Sequence, residues 1–374
     1  MNLRMRENPW RLMLAVNVAV VIGVFLYKLT REPYVPYIHL LVDYHFGFTK
    51  RALIGAVVSL FFAKIPVWLV FALAGGVWLV TLALFAELFR RTFGFDDRHL
   101  PLFVFMAGSP FFLKNFMHTL GHFDIYGCAF ALGLLLVPAR SVAFVVLAAV
   151  LSMILVLIHH IHLLMYVPTI VVIVVLRYYL VQDFSRQNVL IGMASIVGIG
   201  VLFLAAQFWG TIAVPQEEFV RYLQGRMADP SRTELLSFSY IWYQPLVKEI
   251  HDTWERMPSN LLGIPVFALL IWLHAPLWRY FAELIRSLSD EFHRRVVVVG
   301  IIAVSVAYLV MFAMVFDYSR WISNWAVCMF LILHAVKALP VSQAVSPVSA
   351  DDKKTSALGW IITLIPRVGI VRPF

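Results

Sequence analysis

From residue 12 to residue 336 the chain is a succession of apolar runs, each closed by a charged or polar cluster. That alternation leaves few ways to fold. Hydrophobic residues make up 61% of the chain and charged residues 14%, with a mean hydropathy of +0.84; soluble domains carry about 25% charged residues. A protein core cannot absorb this much apolar surface, so lipid is the expected solvent for most of the chain. The expectation is an all-α, polytopic membrane helix bundle. A formal charge of +9 in a soluble protein would point to nucleic acid. Here no basic block with interleaved aromatics occurs, and the charge reads as cytoplasmic anchoring with some contacts to lipid phosphate. Cys128 and Cys328 both lie in apolar runs, which gives neither a disulfide framework nor a zinc pattern.

Residues 1–11 are basic, with Arg4, Arg6 and Arg11 against Glu7. The apolar run 12–27 is followed by Lys28-Leu29-Thr30-Arg31-Glu32, which offers no small-x-small cleavage site, so it reads as a retained first span with its N-terminus inside. Nine more spans are expected at about 67–89, 101–116, 125–138, 141–158, 163–180, 189–209, 261–278, 296–316 and 322–336. Residues 52–62 are apolar but too few to cross a core of roughly 30 Å, and read as a re-entrant or interfacial helix. The integral membrane domain is then 1–340, with outer loops at 30–65, 114–124, 159–162, 211–259 and 317–321. Residues 341–374 form a cytoplasmic tail whose apolar stretch, 357–366, is expected to lie on the membrane surface. In this topology 18 of the 30 Lys and Arg lie inside, and five of the remaining 12 are in the long loop, which the positive-inside rule discounts. No internal repeat is visible.

The topology gathers chemistry on one face. Eight of the 12 histidines reach the outer side: His39, His45, His118, His122, His159, His160, His162 and His251. Asp43, Asp124, Asp317 and Arg320 join them. The densest stretch is Asp43-Tyr44-His45-Phe46-Gly47-Phe48-Thr49-Lys50-Arg51. Charge beside a bilayer is expensive and needs a reason. Asp43 suits a helix cap or a partner for Arg51, and equally a general base for an attacking hydroxyl. Lys50 and Arg51 suit interfacial anchors, and equally ligands of a leaving lipid phosphate. His159-His160-Ile161-His162 resembles a metal set, but adjacent histidines on a helix point apart; His118 and His122 have i, i+4 spacing with Gly121 between them. No metal is assigned, and hydrogen bonding to substrate is preferred. Asp317 and Arg320 can pair with each other, or hold a phosphate or sugar hydroxyl. Tyr222, Tyr240, Trp242, Tyr243 and Trp254 form either a sugar-stacking surface or an interfacial belt.

An acidic residue in the first outer loop, right after the first span, resembles the GT-C superfamily of membrane glycosyltransferases. The patterns Gly47-Phe48-x-Lys50-Arg51-x-Leu53-x-Gly55 and Asp317-x-x-Arg320-Trp321 also look like features of bacterial polysaccharide-locus membrane proteins. The resemblance implies a polyprenyl-phosphate- or diphosphate-linked sugar as donor, a glycan or lipid as acceptor, and Asp43 as the catalytic carboxylate. It places the enzyme in a bacterial inner membrane, without nucleic acid as a partner. Many members carry paired acids or a metal site here, whereas Tyr44 follows Asp43, so no metal or other cofactor is expected; neither is a large outer C-terminal domain. An O-antigen-polymerase- or ligase-like enzyme is the nearest alternative, with 211–258 as its long outer loop. A transporter or flippase of a lipid-linked glycan would use polar residues within spans, for which Asn17, Glu87, Gln207, His274 and Asn324 are scattered candidates. A structural subunit of a membrane complex completes the set.

Overall fold

A computed structural model describes residues 8–181, 185–315, 317–342, 345–346, 348–349 and 352–368, apart from the side chains of 259 and 260. The chain is all-helical, about 74% helix; the described residues contain no strands, only isolated bridges at Ile65–Met227 and Leu288–Val341.

Helix α1 (Pro9–Leu29) starts where the Asn8 side chain accepts from the Trp10 amide and Pro9 occupies the first turn, both of which suit a helix N-terminus. Two short helices follow, α2 (Tyr34–Leu41) and α3 (Leu53–Ser59). They pack so closely that a Cβ on Gly55 would lie 1.9 Å from the Val42 carbonyl oxygen. Next come α4 (Trp68–Thr92), α5 (Leu100–Ala107), α6 (Leu113–His118), α7 (Asp124–Leu136) and α8 (Val142–Ile158). After α9 (His162–Met165), α10 (Val167–Val174) runs on as a π-helical turn through Tyr179. Then α11 (Arg186–Trp209), α12 (Gln216–Arg226), α13 (Leu246–Leu261), α14 (Ile264–Leu273) and α15 (Ala275–Arg286) follow. The last three are α16 (Glu291–Met314), α17 (Tyr318–Lys337) and α18 (Lys353–Leu364).

Four of these, α1, α4, α11 and α16, are long and apolar enough to cross a membrane, and α14 with α15, bent by 66°, would make a fifth. Ten spans are expected from the sequence, and the difference has a physical cause. The run 101–116 breaks at Gly108-Ser109-Pro110, where proline cannot continue the helical ladder. The Ser109 hydroxyl accepts from the Phe111 amide and bonds Nε2 of His274, 2.9 Å away. Helices of 13 residues, such as α7, reach only about 20 Å at 1.5 Å per residue. Helix α17 has the length, but every residue from Ala326 to Val336 is buried. Apolar composition on all sides of these helices is met by protein, not lipid.

The apolar stretch of the tail also departs from expectation. Helix α18 packs against α1, α5 and α14 instead of lying on the surface. A Cβ on Gly359 would strike the Trp10 ring at 2.6 Å, and the Lys114 ammonium donates to the carbonyls of Ile362 and Thr363. These last-turn carbonyls lack helical partners, and a buried cation both caps them and complements the helix dipole.

A second, smaller core sits over one end of the bundle. Residues 211–259 fold into α12, two 3₁₀ turns at Thr233–Leu236 and Ser239–Tyr243, and α13. With α2 and the 42–70 segment they bury Tyr37, Leu41, Ile65, Phe219, Leu223 and Trp242. This cap positions the site described next. The opposite end carries the Arg11–Asp97 ion pair and the Ser289–Pro340 contact. Helix α4, running between the two ends, is 25 residues long, or roughly 37 Å.

Cysteines placed singly at 45 and 225, both exposed on the cap, should therefore react with an impermeant thiol reagent from one side of a sealed vesicle. Cysteines at 95 and 290 should react only from the other, in a background lacking the buried Cys128 and Cys328. Labelling of all four from one side would mean that the long helices do not cross the membrane.

Candidate functional site

The Asp43–Arg51 loop is held by three latches. The Lys50 amide donates to the Gly210 carbonyl at 2.9 Å, and its carbonyl accepts from the Trp242 indole at 3.1 Å. Its ammonium donates to the Gln244 carbonyl at 3.0 Å. Burial and the adjacent Arg51 charge bring the Lys50 pKa down to about 8. Lys50 thus ties the loop to the 210–244 segment and does not face a cavity. Asp43 is likewise committed. Its carboxylate takes a 2.7 Å ion pair from Arg226 and a 2.8 Å hydrogen bond from the Tyr222 hydroxyl, and it caps its own turn through the His45 amide. Arg226 also donates to the Leu41 carbonyl. His45 is exposed and stacks on Tyr222, with ring centroids 4.3 Å apart.

These latches fix the backbone that turns Arg51 inward. Arg51 has φ +63, a left-handed conformation that costs a non-glycine residue about 1–3 kcal/mol and persists only where the surroundings over-determine it. Its side chain enters a cavity of about 440 Å³ beneath the cap. Among the sequence candidates, Arg51, His122, His159, His160, Asp317 and Arg320 line this cavity. His39, Glu249, Asp252 and Arg256 complete its charged and imidazole groups. The Arg51 Nε is buried with no hydrogen-bond partner, and no ion pair within 4 Å joins Arg51 to Glu249 among the described residues. Glu249 and Asp252 lie three apart on α13 and Arg256 four further on, one face of a helix. The outer-face inventory drawn from the sequence omits Glu249 and Asp252. The signal was there: α13 is strongly amphipathic, and these residues share its polar face.

Behind the cavity wall stands a buried ion pair. Arg320 gives Asp124 two parallel bonds, Nε to Oδ2 at 2.6 Å and Nη2 to Oδ1 at 2.8 Å. Asp317, the expected partner, is only 3.4 Å from Nη1 and accepts from the Ser319 hydroxyl. Asp124 is 1% exposed and does not line the cavity. Asn324 supports it, donating to Asp124 at 3.3 Å while accepting a 2.6 Å bond from the Tyr166 hydroxyl. The Tyr166 ring reaches that position because Gly127 leaves room: a Cβ there would fall 2.2 Å from the ring. His162 is fully buried against Tyr166, and His118 bonds Arg367 of the tail at 3.2 Å. Neither reaches the cavity. Among the described residues no group of three His, Cys, Asp or Glu side chains could hold a metal ion.

Burial pushes the pKa values of His39, His122, His159 and His160 well below 6.5, and nearby guanidinium charge adds to the shift: Arg51 for His39, His159 and His160, Arg320 for His122. At neutral pH these four are uncharged rings, each with one N–H donor and one acceptor nitrogen. The cavity therefore joins fixed cations, carboxylates and neutral imidazoles in one partly water-excluded space. Such a set can hold an anion, orient hydroxyls and accept a proton. The chain matches no family model, no curated protein and no solved structure.

Asp124→Asn should strand the Arg320 charge and cost about 3–5 kcal/mol, whereas Asp124→Leu with Arg320→Met should recover most of that loss; thermal unfolding in detergent checks both. The pH dependence has a definite sign. The folded imidazoles resist protonation that the unfolded chain accepts near 6.5, so their contribution is complete above that pH and lost as pH falls below it. The melting temperature should fall between pH 7.5 and 5.5, and His160→Gln should make that slope shallower.

Proposed function

We propose that this chain is a membrane glycosyltransferase that takes a sugar from a polyprenyl-(di)phosphate carrier and passes it to a glycan or lipid hydroxyl in cell-envelope assembly. The observation that carries this reading is Arg51. A half-buried, strained guanidinium that lines the cavity, with no ion pair within 4 Å among the described residues, calls for an anion, since a largely desolvated charge without a close partner is costly. A guanidinium fork fits phosphate oxygens, two at a time. The same cavity supplies carboxylates and neutral imidazoles within one substrate-sized volume.

In this reaction the acceptor oxygen attacks the anomeric carbon. The bond from that carbon to the phosphate oxygen breaks, and the carrier phosphate leaves with the electron pair. Arg51 stabilises the charge that develops on it. The acceptor proton goes to a cavity carboxylate, for which we assign Glu249: it lies near enough to oppose the lowering of the Arg51 pKa that burial causes. Asp317 already holds Ser319 and Arg320, and Asp43 is consumed by Arg226. The imidazoles of His122, His159 and His160 hydrogen-bond sugar and acceptor hydroxyls. Arg320 also lines the cavity, but its Nε and Nη2 are taken by Asp124 and its Nη1 lies 3.4 Å from Asp317.

The excess of Lys and Arg at the end of the chain's bundle away from the cap supports placing that end, and the N-terminus, in the cytoplasm of a bacterial cell, with the cavity on the outer face of the inner membrane. Three of the five polar residues that a transporter would use within spans are bonded inside the bundle: Asn17 to the Ala107 carbonyl, His274 to Ser109, Asn324 to Asp124.

Purified protein in detergent, supplied with a polyprenyl-phosphate sugar and an acceptor, should form product without a sealed compartment. Glu249→Gln should lower turnover by about 10²–10⁴ with the fold intact. Asp43→Asn should melt earlier yet keep most turnover. The reverse ranking of these two variants would return the base to Asp43, and no product with any donor would remove the enzyme reading.

A further inference from the structure

His122 and Phe123 line one wall of the cavity. Those two residues also wall a narrow pocket that passes Gly121 between Pro36, Leu40 and Val70. It holds only about 20 Å³, a constriction. Gly121 is what keeps it open: its φ is +88, and a Cβ would strike Pro36 at 2.7 Å and Val70 at 3.1 Å. On its far side the pocket shares Leu73, Val77 and Tyr126 with a third void. That void is an apolar groove of about 600 Å³ between α4, α7 and α8, descending to Leu84, Val137 and Leu147. From Leu73 to Leu84 it follows α4 for roughly 16 Å. Two glycines form part of its wall, Gly76 and Gly133, and a Cβ at either would meet nothing within 4 Å. The groove thus exists where side chains have been left out, on faces where Leu73, Val80 and Leu147 are exposed.

A cationic cavity, a slot and an apolar groove in series match one kind of molecule: an anionic head joined to a long hydrocarbon tail. We propose that the α4/α7/α8 groove holds the polyprenyl tail of the carrier, which enters through the slot at Gly121 while its phosphate sits at Arg51. This rests on the reading of the cavity as a lipid-phosphate sugar site and adds where the lipid lies. Binding requires the slot to widen by movement of the Pro36 and Val70 side chains.

The test uses polyprenyl phosphate carrying a photoreactive group in its tail and no sugar, with crosslinked peptides identified by mass spectrometry in the full-length protein. Crosslinks should fall on α4, α7 and α8, and should be lost in Gly133→Phe and reduced in the smaller change Gly133→Leu. Gly76→Phe should act in the same way. Gly23→Phe, a like substitution on α1 where a Cβ also meets nothing within 4 Å, should change nothing. In the transfer assay Gly133→Phe should raise KM for the long-chain donor by about tenfold or more, the scale of lost apolar pocket contacts, and leave a short-chain donor with the same sugar phosphate unaffected. Crosslinks on other helices, or crosslinks on the groove that the glycine variants do not alter, would overturn the proposal. The two readings fail separately. Groove crosslinking without sugar transfer from any donor removes the glycosyltransferase and keeps the lipid site; transfer with crosslinks elsewhere does the opposite.

Discussion

The Asp124–Arg320 pair is the constraint on which the rest of the interior depends. It joins the first residue of α7 to the first turn of α17, the most buried of the long helices. Two charges at this depth are tolerable only because their geometry is bidentate and because Asn324, held by Tyr166, fills a further acceptor position. The pair therefore ties the register of α7 to that of α17. It also decides how much of Arg320 the cavity sees. With Nε and Nη2 given to Asp124 and Nη1 paired with Asp317 at 3.4 Å, the strongest claim to an anionic ligand passes to Arg51.

The cap repeats the same logic with different partners. Asp43 and Arg226 close α12 onto the first loop, and Lys50 closes the 210–244 segment onto it from the other side. Both residues had been candidates for chemistry. Their side chains are instead bonded to partners that hold the loop turning Arg51 inward, so they act on the site through its backbone. The cost of the left-handed conformation at Arg51 is small beside these latches, and that conformation places the Arg51 side chain in the cavity wall.

Much of this was legible in the residues, and the part that was not has identifiable causes. That the chain is helical, with several helices long and apolar enough to cross a membrane, followed from apolar runs too numerous for a soluble core. That polar groups from distant loops converge also followed: Arg51, His122, His159, His160, Asp317 and Arg320 meet in one cavity. The number of membrane-capable helices was not legible, because a buried half-length helix such as α7 and an exposed long helix such as α11 are both strongly apolar in sequence. Only the packing around them tells protein from lipid. The polar face of α13 was visible as a spacing, but nothing in the spacing said that it would fold over the cavity.

The sequence by itself determined the helical secondary structure, the apolar character of the long helices and the set of charged groups that had to be explained, since each follows from local composition. Only the tertiary structure decided which of those charges are partners and which remain available. A carboxylate beside a cation in sequence carries no information about the cation that reaches it from 183 positions away, as Arg226 reaches Asp43. Pairing is settled by the distance and geometry of side chains brought together by packing, and so it is the packing that sets Asp43 and Lys50 to hold the cap and leaves Arg51 and Glu249 facing the cavity.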